Sequence, residues 1–575
     1  MKPRKSMLSS KEEALWGREI NRALTWRKKF SHESLWPEIE RIYQHDCGSN
    51  VPRFNLIFMQ AQTLIPNLVY QSPGVINTPT RSGMVQWAAL FDGLDNWWIQ
   101  HCEMKGALHD MVLSAFLKNT AVVQIGYDFD MEAANVVAQL ESSENRTRAS
   151  NAAWLDNVPP HRFVTAVGTH SMRSCHWCAK FVSVPTSRLK GITGLKNVRH
   201  SGVPPEILFH EAELWECRDS TQYTCFWQIH DAVTKKWCWL STNGMYIMPW
   251  EDDPLQVYGL PFEVLTLNTN TKSIFATPDP KYIMTQHLEG EDCRWQGMKQ
   301  RRAAISKFLY KADSIDSETL DRIISADSPA GIPVDVGMDK SIRDCILELK
   351  GSVDFGLLEY QKAILNDAQL ILGNGPNQLG QFAPGRRSSR EAGIVDRVAD
   401  SRVSHRRGKV ADVAQGLVRK ANRLMTENWN GELIQQVVGA DGALYWVEAD
   451  PKKLGELGFG METRVNVESL APVSRDSRKQ EAANLLSMMS QMQETGANTM
   501  PILTQLLSQF EWVDVSQVLP QSAQRYSMEA FQQQQEEMIA KGGLGEVAAN
   551  NTRGVGALAD RLPATPAMGG EEDDS

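Results

Sequence analysis

The sequence GNGPNQLGQFAPGRRSSR, residues 373–390, separates two helical patterns and decides how the rest of the chain is interpreted. Before it, residues 355–372 repeat apolar side chains at the spacing of one helix face. After it, residues 389–429 carry an apolar stripe with a period of about 3.6, formed by Ile394, Val395, Val398, Val403, Val410, Val413, Leu417, Ala421 and Leu424. The stretch therefore predicts a helix, a Gly/Pro-rich loop and a long second helix.

The second helix and the end of the loop concentrate positive charge. From Arg386 to Arg423, eleven Lys/Arg stand against four Asp/Glu, a net charge of +7. The whole chain carries −9, so the remainder sums to about −16. One basic segment in an acidic protein indicates local contact with a polyanion and argues against a protein that coats nucleic acid with its whole surface.

Length and composition predict a large globular protein. With 575 residues, 42% apolar and 22% charged, the chain has room for three or four domains. Its nine scattered cysteines do not form the pattern of a disulfide framework, which favours a reducing compartment. The N-terminal MKPRKSMLSSKEE lacks the apolar core of a signal peptide. No apolar run reaches the ~18 residues that span a bilayer. A soluble protein made inside the cell, without a membrane partner, is expected.

Upstream of the loop, the pattern changes three times. Residues 1–280 mix helical segments with a β-rich stretch at 160–270, where short alternating runs are separated by turn residues. Residues 281–312 follow as one long polar helix with sparse apolar positions. A small unit at 313–354 then leads into the helix at 355–372, so that it is inserted between two helices able to run antiparallel.

Downstream of the long helix, residues 443–448 and 463–468 predict the two strands of a short hairpin. Residues 474–540 read as helical, with an interruption near Pro501. From residue 541 the chain becomes rich in Gly, Ala and Pro and ends in an acidic run, which predicts a disordered tail over 541–575.

This order of elements resembles the portal, or head–tail connector, proteins of tailed bacteriophages. No single motif carries the resemblance, which covers roughly residues 10–540. The early segment from Asn55 to Pro79 and the helix-to-strand step from Ala107 to Tyr127 also resemble parts of that family's wing. The resemblance implies an α+β fold with an α/β wing (1–280), a first stem helix (281–312), a clip (313–354), a second stem helix (355–372), a tunnel loop (373–388), a long wing helix with a β hairpin (389–473) and a helical crown (474–540).

For function, the resemblance implies a structural protein without catalytic residues, cofactor or metal. Its copies would form a dodecameric ring at the portal vertex of a capsid, assembled in the host cytoplasm. Double-stranded DNA would pass through the ring, without sequence preference, during packaging and ejection. The expected partners are the terminase motor, head–tail adaptor proteins and the major capsid or scaffolding protein.

Two groups of cations are the predicted DNA contacts. Arg386, Arg387 and Arg390 end the tunnel loop, whose hinge positions are Gly373, Gly375, Gly380 and Gly385. On the first stem helix the candidates are Lys299, Arg301 and Arg302, with pairing to Glu289, Glu291 or Asp292 of a neighbouring subunit as the alternative. The mid-helix residues Arg402, Arg406 and Arg407 are expected to face a neighbouring subunit.

Other motifs are weaker. Gly375 to Gly380 has the spacing of a phosphate loop, but Gln381-Phe382 stands where Lys-Ser/Thr is required, which excludes nucleotide binding there. Cys175 and Cys178 have zinc-like spacing, with Cys217, Cys225 and Cys238 as possible further ligands, yet burial in a core is the favoured interpretation. Two alternatives to the portal remain open. One is a DNA-processing packaging enzyme such as a nuclease, and the other is a virion adaptor that forms no channel.

Overall fold

The structure, a computed structural model, describes most of the chain. The described residues are 4–45, 54–81, 84–127, 153–202 without 191 and 193, 222–305 without 256 and 258, 307–310, 346–349, 356–373, 389–429, 433–438, 444–450, 461–470 and 521–540, with single positions at 318, 321, 354 and 453.

Helices and mainly antiparallel sheets are combined, which agrees with the predicted α+β class. The helices are α1 (Arg4–Ser31), α2 (Trp36–Tyr43), α3 (Leu56–Leu68), α4 (Val85–His101), α5 (Met104–Lys118), α6 (Thr186–Leu189), α7 (Asp279–Ala304), α8 (Gly356–Leu372), α9 (Ser389–Asn428) and α10 (Met528–Ala540). The strands are β1 (Gly74–Pro79), β2 (Thr120–Tyr127), β3 (Ala153–Val158), β4 (Phe163–Thr165), β5 (Trp177–Pro185), β6 (Tyr223–Asp231), β7 (Lys236–Ser241), β8 (Tyr246–Asp252), β9 (Phe262–Thr266), β10 (Lys307–Tyr310), β11 (Ile346–Leu349), β12 (Leu433–Val438), β13 (Leu444–Ala449), β14 (Met461–Asn466) and β15 (Gln521–Ser527).

The chain divides into two compact units. The first, here called the sheet unit, comprises Met1–Glu33, Ile65–Ala276 and Val403–Ser575. The second, called the hairpin unit, comprises Ser34–Leu64 and Thr277–Arg402.

The largest sheet of the sheet unit is an antiparallel meander of five strands in the order β4-β5-β6-β7-β8. The predicted β-rich stretch contains all five. Alternating side chains face opposite sides, so Ile229 packs towards α1 while Phe226 packs towards the segment that follows β5. Both faces are therefore covered, which explains why β6 is buried along almost its whole length.

Helix α1 is fastened to this sheet by a buried cation. The guanidinium of Arg27, 2% exposed, donates to the carbonyls of His161 (2.9 Å) and Phe163 (2.8 Å) and pairs with Glu33 at 2.9 Å. Because a buried charge is stable only when it is paired and hydrogen-bonded, this contact set fixes the end of α1 against the start of β4.

Among the described residues, three smaller strand groups also belong to the sheet unit. Strand β2 is buried throughout and lies between β3 and β9. Strands β1 and β14 form an antiparallel ribbon although they are far apart in sequence. Strand β13 pairs with β12 in an antiparallel sense and with β15 in a parallel sense.

The long helix α9 confirms the predicted apolar stripe over the residues whose side chains are described. Within the sheet unit, its positions Val403, Val410, Val413, Leu417, Ala421 and Leu424 are all buried. The stripe thus reflects packing inside the chain.

Three predicted boundaries are corrected. The first is the helix expected over 281–312, which ends at Ala304, because Ile305 turns to an extended conformation and Lys307–Tyr310 forms a strand. That strand pairs with Ile346–Leu349, and its aromatic residues favour the extended state.

The second correction concerns the hairpin. Residues 444–449 pair with 433–438, whereas 461–466 pair with 74–79. Strand character was evident in the sequence, but pairing partners are chosen by tertiary contacts. The third concerns the expected helical crown at 474–540: Gln521–Ser527 is a strand on the edge of β13, and Met528–Ala540 is helical. Residues 471–520 lie outside the described residues, as does the acidic tail.

Candidate nucleic-acid interface

The hairpin unit is built on the packing of α7 against α8. The amide of Asp354, just before α8, donates to Oε1 of Gln300 near the end of α7, at 3.0 Å. Further along α8, the hydroxyl of Tyr360 donates to Oε1 of Glu289, earlier in α7, at 3.0 Å. Because contacts move back along α7 as they advance along α8, the two helices run antiparallel.

Few side chains of α7 are buried, as its polar sequence predicts. Ile283 and Cys293 are among those that face inward, and Gly290 leaves space for the ring of Phe54, which a Cβ would overlap. Glycine is therefore required at 290 by close approach. The remainder of the helix presents a long, mostly polar surface, with Tyr282 and Leu288 exposed among its polar residues.

The last turns of α7 carry the predicted cations. Lys299, Arg301 and Arg302 are exposed, and no ion pair within the described part of the chain involves them. Their charges lie at the carboxyl end of the helix, where the helix dipole favours cations. Lys299 places its Nζ 4.5 Å from the centroid of the Trp295 ring, a cation–π contact worth about 0.5–1 kcal/mol at an exposed site.

The acidic residues proposed as partners of these cations have contacts in their own chain. Glu289 accepts from Tyr360, Asp292 accepts from Gln296 Nε2 at 2.8 Å, and Oε1 of Glu291 lies 3.6 Å from His287 Nε2. Pairing between subunits remains an alternative for Lys299, Arg301 and Arg302.

The tunnel loop begins at a glycine that the backbone requires. Gly373 has φ of 76°, in the left-handed region, and its amide donates to the carbonyl of Leu370 at 3.2 Å to end α8. A Cβ at this position would also overlap the guanidinium of Arg402. Gly375, Gly380, Gly385, Arg386 and Arg387 lie outside the described residues, as does the phosphate-loop-like stretch, and Arg390 occupies the first turn of α9.

The middle of the long helix corrects a prediction. Arg407 was expected to face a neighbouring subunit, but it is 7% exposed and donates to the carbonyl of Asn67 at 2.9 Å. Lys409 similarly donates to the carbonyl of Leu267 at 2.7 Å. Arg407 and Lys409 are thus held inside their own unit by backbone carbonyls, since these groups satisfy the charge without a second chain. Arg402 is exposed and Arg406 is half-buried.

Lys420 is as buried as Arg407 and also forms an ion pair. Its Nζ donates to the carbonyl of Phe262 at 2.7 Å and pairs with Glu263 at 2.7 Å. Gly416, one turn earlier, leaves the space that the Glu263 carboxylate occupies. The lack of a side chain at Gly416 and the buried cation of Lys420 together allow β9 to pack against α9.

A buried carboxyl in the sheet unit escaped sequence analysis. Oδ2 of Asp95, which is fully buried, accepts from Asn77 Nδ2 at 2.7 Å and from Asn422 Nδ2 at 3.1 Å. Burial raises the pKa of Asp95 to about 7, and that of nearby Asp92 to about 6. Asn77 also accepts from the hydroxyl of Thr463 at 2.7 Å. Two aspartates within a largely apolar stretch of α4 were the signal that was available.

The candidate zinc ligands do not converge among the described residues. Cys175, Cys178, Cys225 and Cys238 are buried within the cores around the five-stranded sheet, and burial raises the pKa of the Cys178 thiol. Cys217 lies outside the described residues. Within the described ranges, no group of three or more His, Cys, Asp or Glu side chains is arranged to hold a metal ion.

Comparisons with known proteins add little. Among the helices that the structure describes, none has the length and apolar character needed to cross a membrane. No protein family matches the sequence, and no curated protein matches it. A solved structure, the neck of a native GTA particle computed with C12 symmetry, is similar to this chain with 9% identity and a TM-score of 0.33, covering 75% of this chain and 85% of that chain. At that TM-score the similarity assigns neither a fold nor a function.

Proposed function

We propose that this chain is a portal-type subunit of a phage-like particle. Copies of it assemble into a ring at the junction of head and tail, and double-stranded DNA passes through the central channel. Its role is structural and not enzymatic.

The observation that carries the proposal is the antiparallel pair α7 and α8 with a small strand pair inserted between them. Strands β10 and β11 lie between the two helices in the chain and pair with each other. Tunnel-loop residues 374–388 then separate α8 from the long helix α9. This order is the one expected of a first stem helix, clip, second stem helix, tunnel loop and wing helix.

The surface of the two helices supports self-association. Both expose large apolar side chains, including Leu288 at 52%, Leu358 at 58% and Leu370 at 66%. A pair of helices with polar outer faces and exposed apolar residues at intervals requires further neighbours, and closed symmetric assembly of identical chains supplies them.

The cations suit a channel that must let DNA slide. Contacts to phosphates carry no sequence information and weaken with salt, so they hold a duplex without stopping it at particular bases. Lys299, Arg301 and Arg302 are exposed and without an ion pair in the described residues, and Arg386, Arg387 and Arg390 follow the loop glycines. Repetition around a ring turns each set into a belt of positive charge.

Electron microscopy of the purified chain tests the proposal directly. We expect negatively stained rings with a central hole near the width of a DNA duplex. Monomers or filaments across a range of salt and protein concentrations would overturn the assembly claim. Mass photometry of the same samples gives the number of subunits, for which twelve is the expectation from the resemblance.

A loop variant tests the passage of DNA separately from the assembly of the ring. Arg386→Ala combined with Arg387→Ala should leave the rings intact and reduce DNA packaging or retention. If the rings are lost instead, these residues belong to a subunit interface. The inserted unit, predicted over 313–354 and extended by β10 to begin at Lys307, is the proposed docking site for the terminase motor and head–tail adaptors. Its deletion should abolish adaptor binding while a ring still forms.

A further inference from the structure

The segment Thr186–His200 covers one face of the five-stranded sheet and has two chemically different sides. Its apolar side chains recur at every third position, and all point towards the sheet. Leu189 is fully buried, while Ile192, Leu195 and Val198 pack partly buried against a core that contains Phe226 and Trp239. The segment is therefore amphipathic, and its apolar side packs against the core of the sheet unit.

The outward side is cationic. Arg188, Lys190, Lys196 and Arg199 are exposed, and His200 lies exposed beside them. The sequence from 186 to 205 contains no Asp or Glu. In the part of the chain that the structure describes, none of the four cations forms an ion pair. The outer surface thus carries four positive charges that its own segment does not neutralise.

The backbone beneath these cations is held in place. The amide of Lys196 donates to the carbonyl of Ile247 at 2.8 Å, and Nδ2 of Asn197 donates to the carbonyl of Tyr246 at 3.0 Å. Two residues after Asn197, the hydroxyl of Thr224 donates to the carbonyl of Arg199 at 3.1 Å. Because strands β8 and β6 both hold the segment by hydrogen bonds, its cations extend from a backbone that is fixed in position.

The chemistry of the surface decides the class of partner. Protein interfaces depend on apolar and aromatic anchors that become buried. Within the described residues of this segment, no large apolar side chain is exposed. A phosphate backbone requires only accessible cations. We propose that the outer surface of Thr186–His200 binds the phosphate backbone of duplex nucleic acid without sequence preference. This surface belongs to the sheet unit and uses none of the residues assigned to the channel.

Fluorescence anisotropy with a labelled random-sequence DNA duplex tests the proposal on the full chain. The variant replaces four residues together: Arg188→Ser, Lys190→Ser, Lys196→Ser and Arg199→Ser. We expect binding to weaken on the order of tenfold at low salt. The slope of log K against log[salt] should fall by about 0.9 for each phosphate that the variant no longer neutralises.

A matched control removes the same charge from the same unit. Arg18, Arg22, Lys28 and Lys29 on α1 are also exposed, and their replacement by Ser should change affinity less than threefold. Two half-variants, Arg188→Ser with Lys190→Ser and Lys196→Ser with Arg199→Ser, should each reduce the slope in part. They keep the test informative if the fourfold variant misfolds by circular dichroism.

Two results would overturn the inference. Equal weakening by the α1 control would mean that net charge alone governs binding. Displacement of DNA by poly-glutamate as effectively as by unlabelled duplex would mean that the surface selects an acidic polypeptide. Neither result would affect the channel proposal, which rests on ring assembly and on residues of the hairpin unit.

Discussion

The long helix α9 and the polar helix α7 carry the same kinds of cation and use them in opposite ways. On α9, Arg407, Lys409 and Lys420 turn into the sheet unit and donate to backbone carbonyls at 2.7–2.9 Å. On α7, Lys299 and Arg301 remain at the surface. The net positive charge along the sequence is greater in the region of α9, yet these three of its cations are used inside the fold, while Arg402 and Arg419 stay exposed.

The difference teaches that a basic stretch identifies a polyanion site only if its charges are unsatisfied. Removing a cation from water costs several kcal/mol, so a buried cation requires a local acceptor and is no longer free for a ligand. The net charge of +7 around α9 therefore overstates its capacity to bind DNA. In this region the predicted DNA contacts remain Arg386, Arg387 and Arg390, whose side chains lie outside the described residues.

The largest expected effect comes from breaking the buried pair. Lys420→Met should lower the free energy of unfolding by about 3–5 kcal/mol, because Glu263 is left largely buried without its partner. Urea denaturation followed by tryptophan fluorescence measures the loss. Adding Glu263→Gln should recover part of it. Lys299→Met is the matched change on α7 and should cost no more than about 1 kcal/mol, the upper worth of its contact with the Trp295 ring.

A second test uses pH. Burial raises the pKa of Asp95 from 3.8 to about 7, so between these values the folded state holds a proton that the unfolded state releases. Stability from this group therefore falls as pH rises through that window. Asp95→Asn should flatten the decrease in the urea midpoint between about pH 4 and pH 7. Parallel curves for variant and wild type would contradict the assignment.

Asp92 provides the control for the pH test. Its pKa is raised only to about 6, so Asp92→Asn should flatten the same curve less than Asp95→Asn does. Asn77 and Asn422 donate hydrogen bonds to Asp95, which lowers its pKa and partly offsets the effect of burial. In the same network, Arg419 donates to the carbonyl of Thr463 at 3.3 Å.

A third test compares two glycines of the hairpin unit. Gly373→Ala should cost about 1–2 kcal/mol, because φ of 76° is unfavourable for a residue with a Cβ and the Arg402 side chain must move. Gly297→Ala, within α7 and with open space around it, should instead stabilise by about 0.5–1 kcal/mol. Equal effects at the two positions would refute the steric argument. Adding Arg402→Ala should relieve only the steric part at 373.

The smallest effect on stability is expected at the cations of α7. Changing Lys299, Arg301 and Arg302 together to Gln should alter the free energy of unfolding by less than about 1 kcal/mol, most of it from the lost contact of Lys299 with the Trp295 ring. Affinity for duplex DNA and its salt dependence should both decrease. The same three-charge change at Arg22, Lys28 and Lys29 on α1 is the control. Loss of ring assembly without loss of DNA affinity would favour pairing between subunits.

Much of the fold was accessible from local patterns. The apolar stripe of α9, the β-rich stretch and the end of α8 at Gly373 follow from periodicity and from backbone rules that act over a few residues. Strand partners were not accessible, since the pairing of Gly74–Pro79 with Met461–Asn466 joins segments nearly four hundred residues apart. In the candidate site, Lys299, Arg301 and Arg302 were predicted and are exposed, whereas the inward turn of Arg407 was missed.

The sequence by itself determined where charge, glycine and apolar periodicity lie, because these are properties of residues and their spacing. Only the tertiary structure decided which charges are used to hold the fold together. Lys420 is satisfied by β9, which is more than 150 residues earlier, and a helical pattern holds no information about that neighbour. Exposure, and with it the capacity to bind a polyanion, depends on what packs against a face, and that is settled only when distant segments meet.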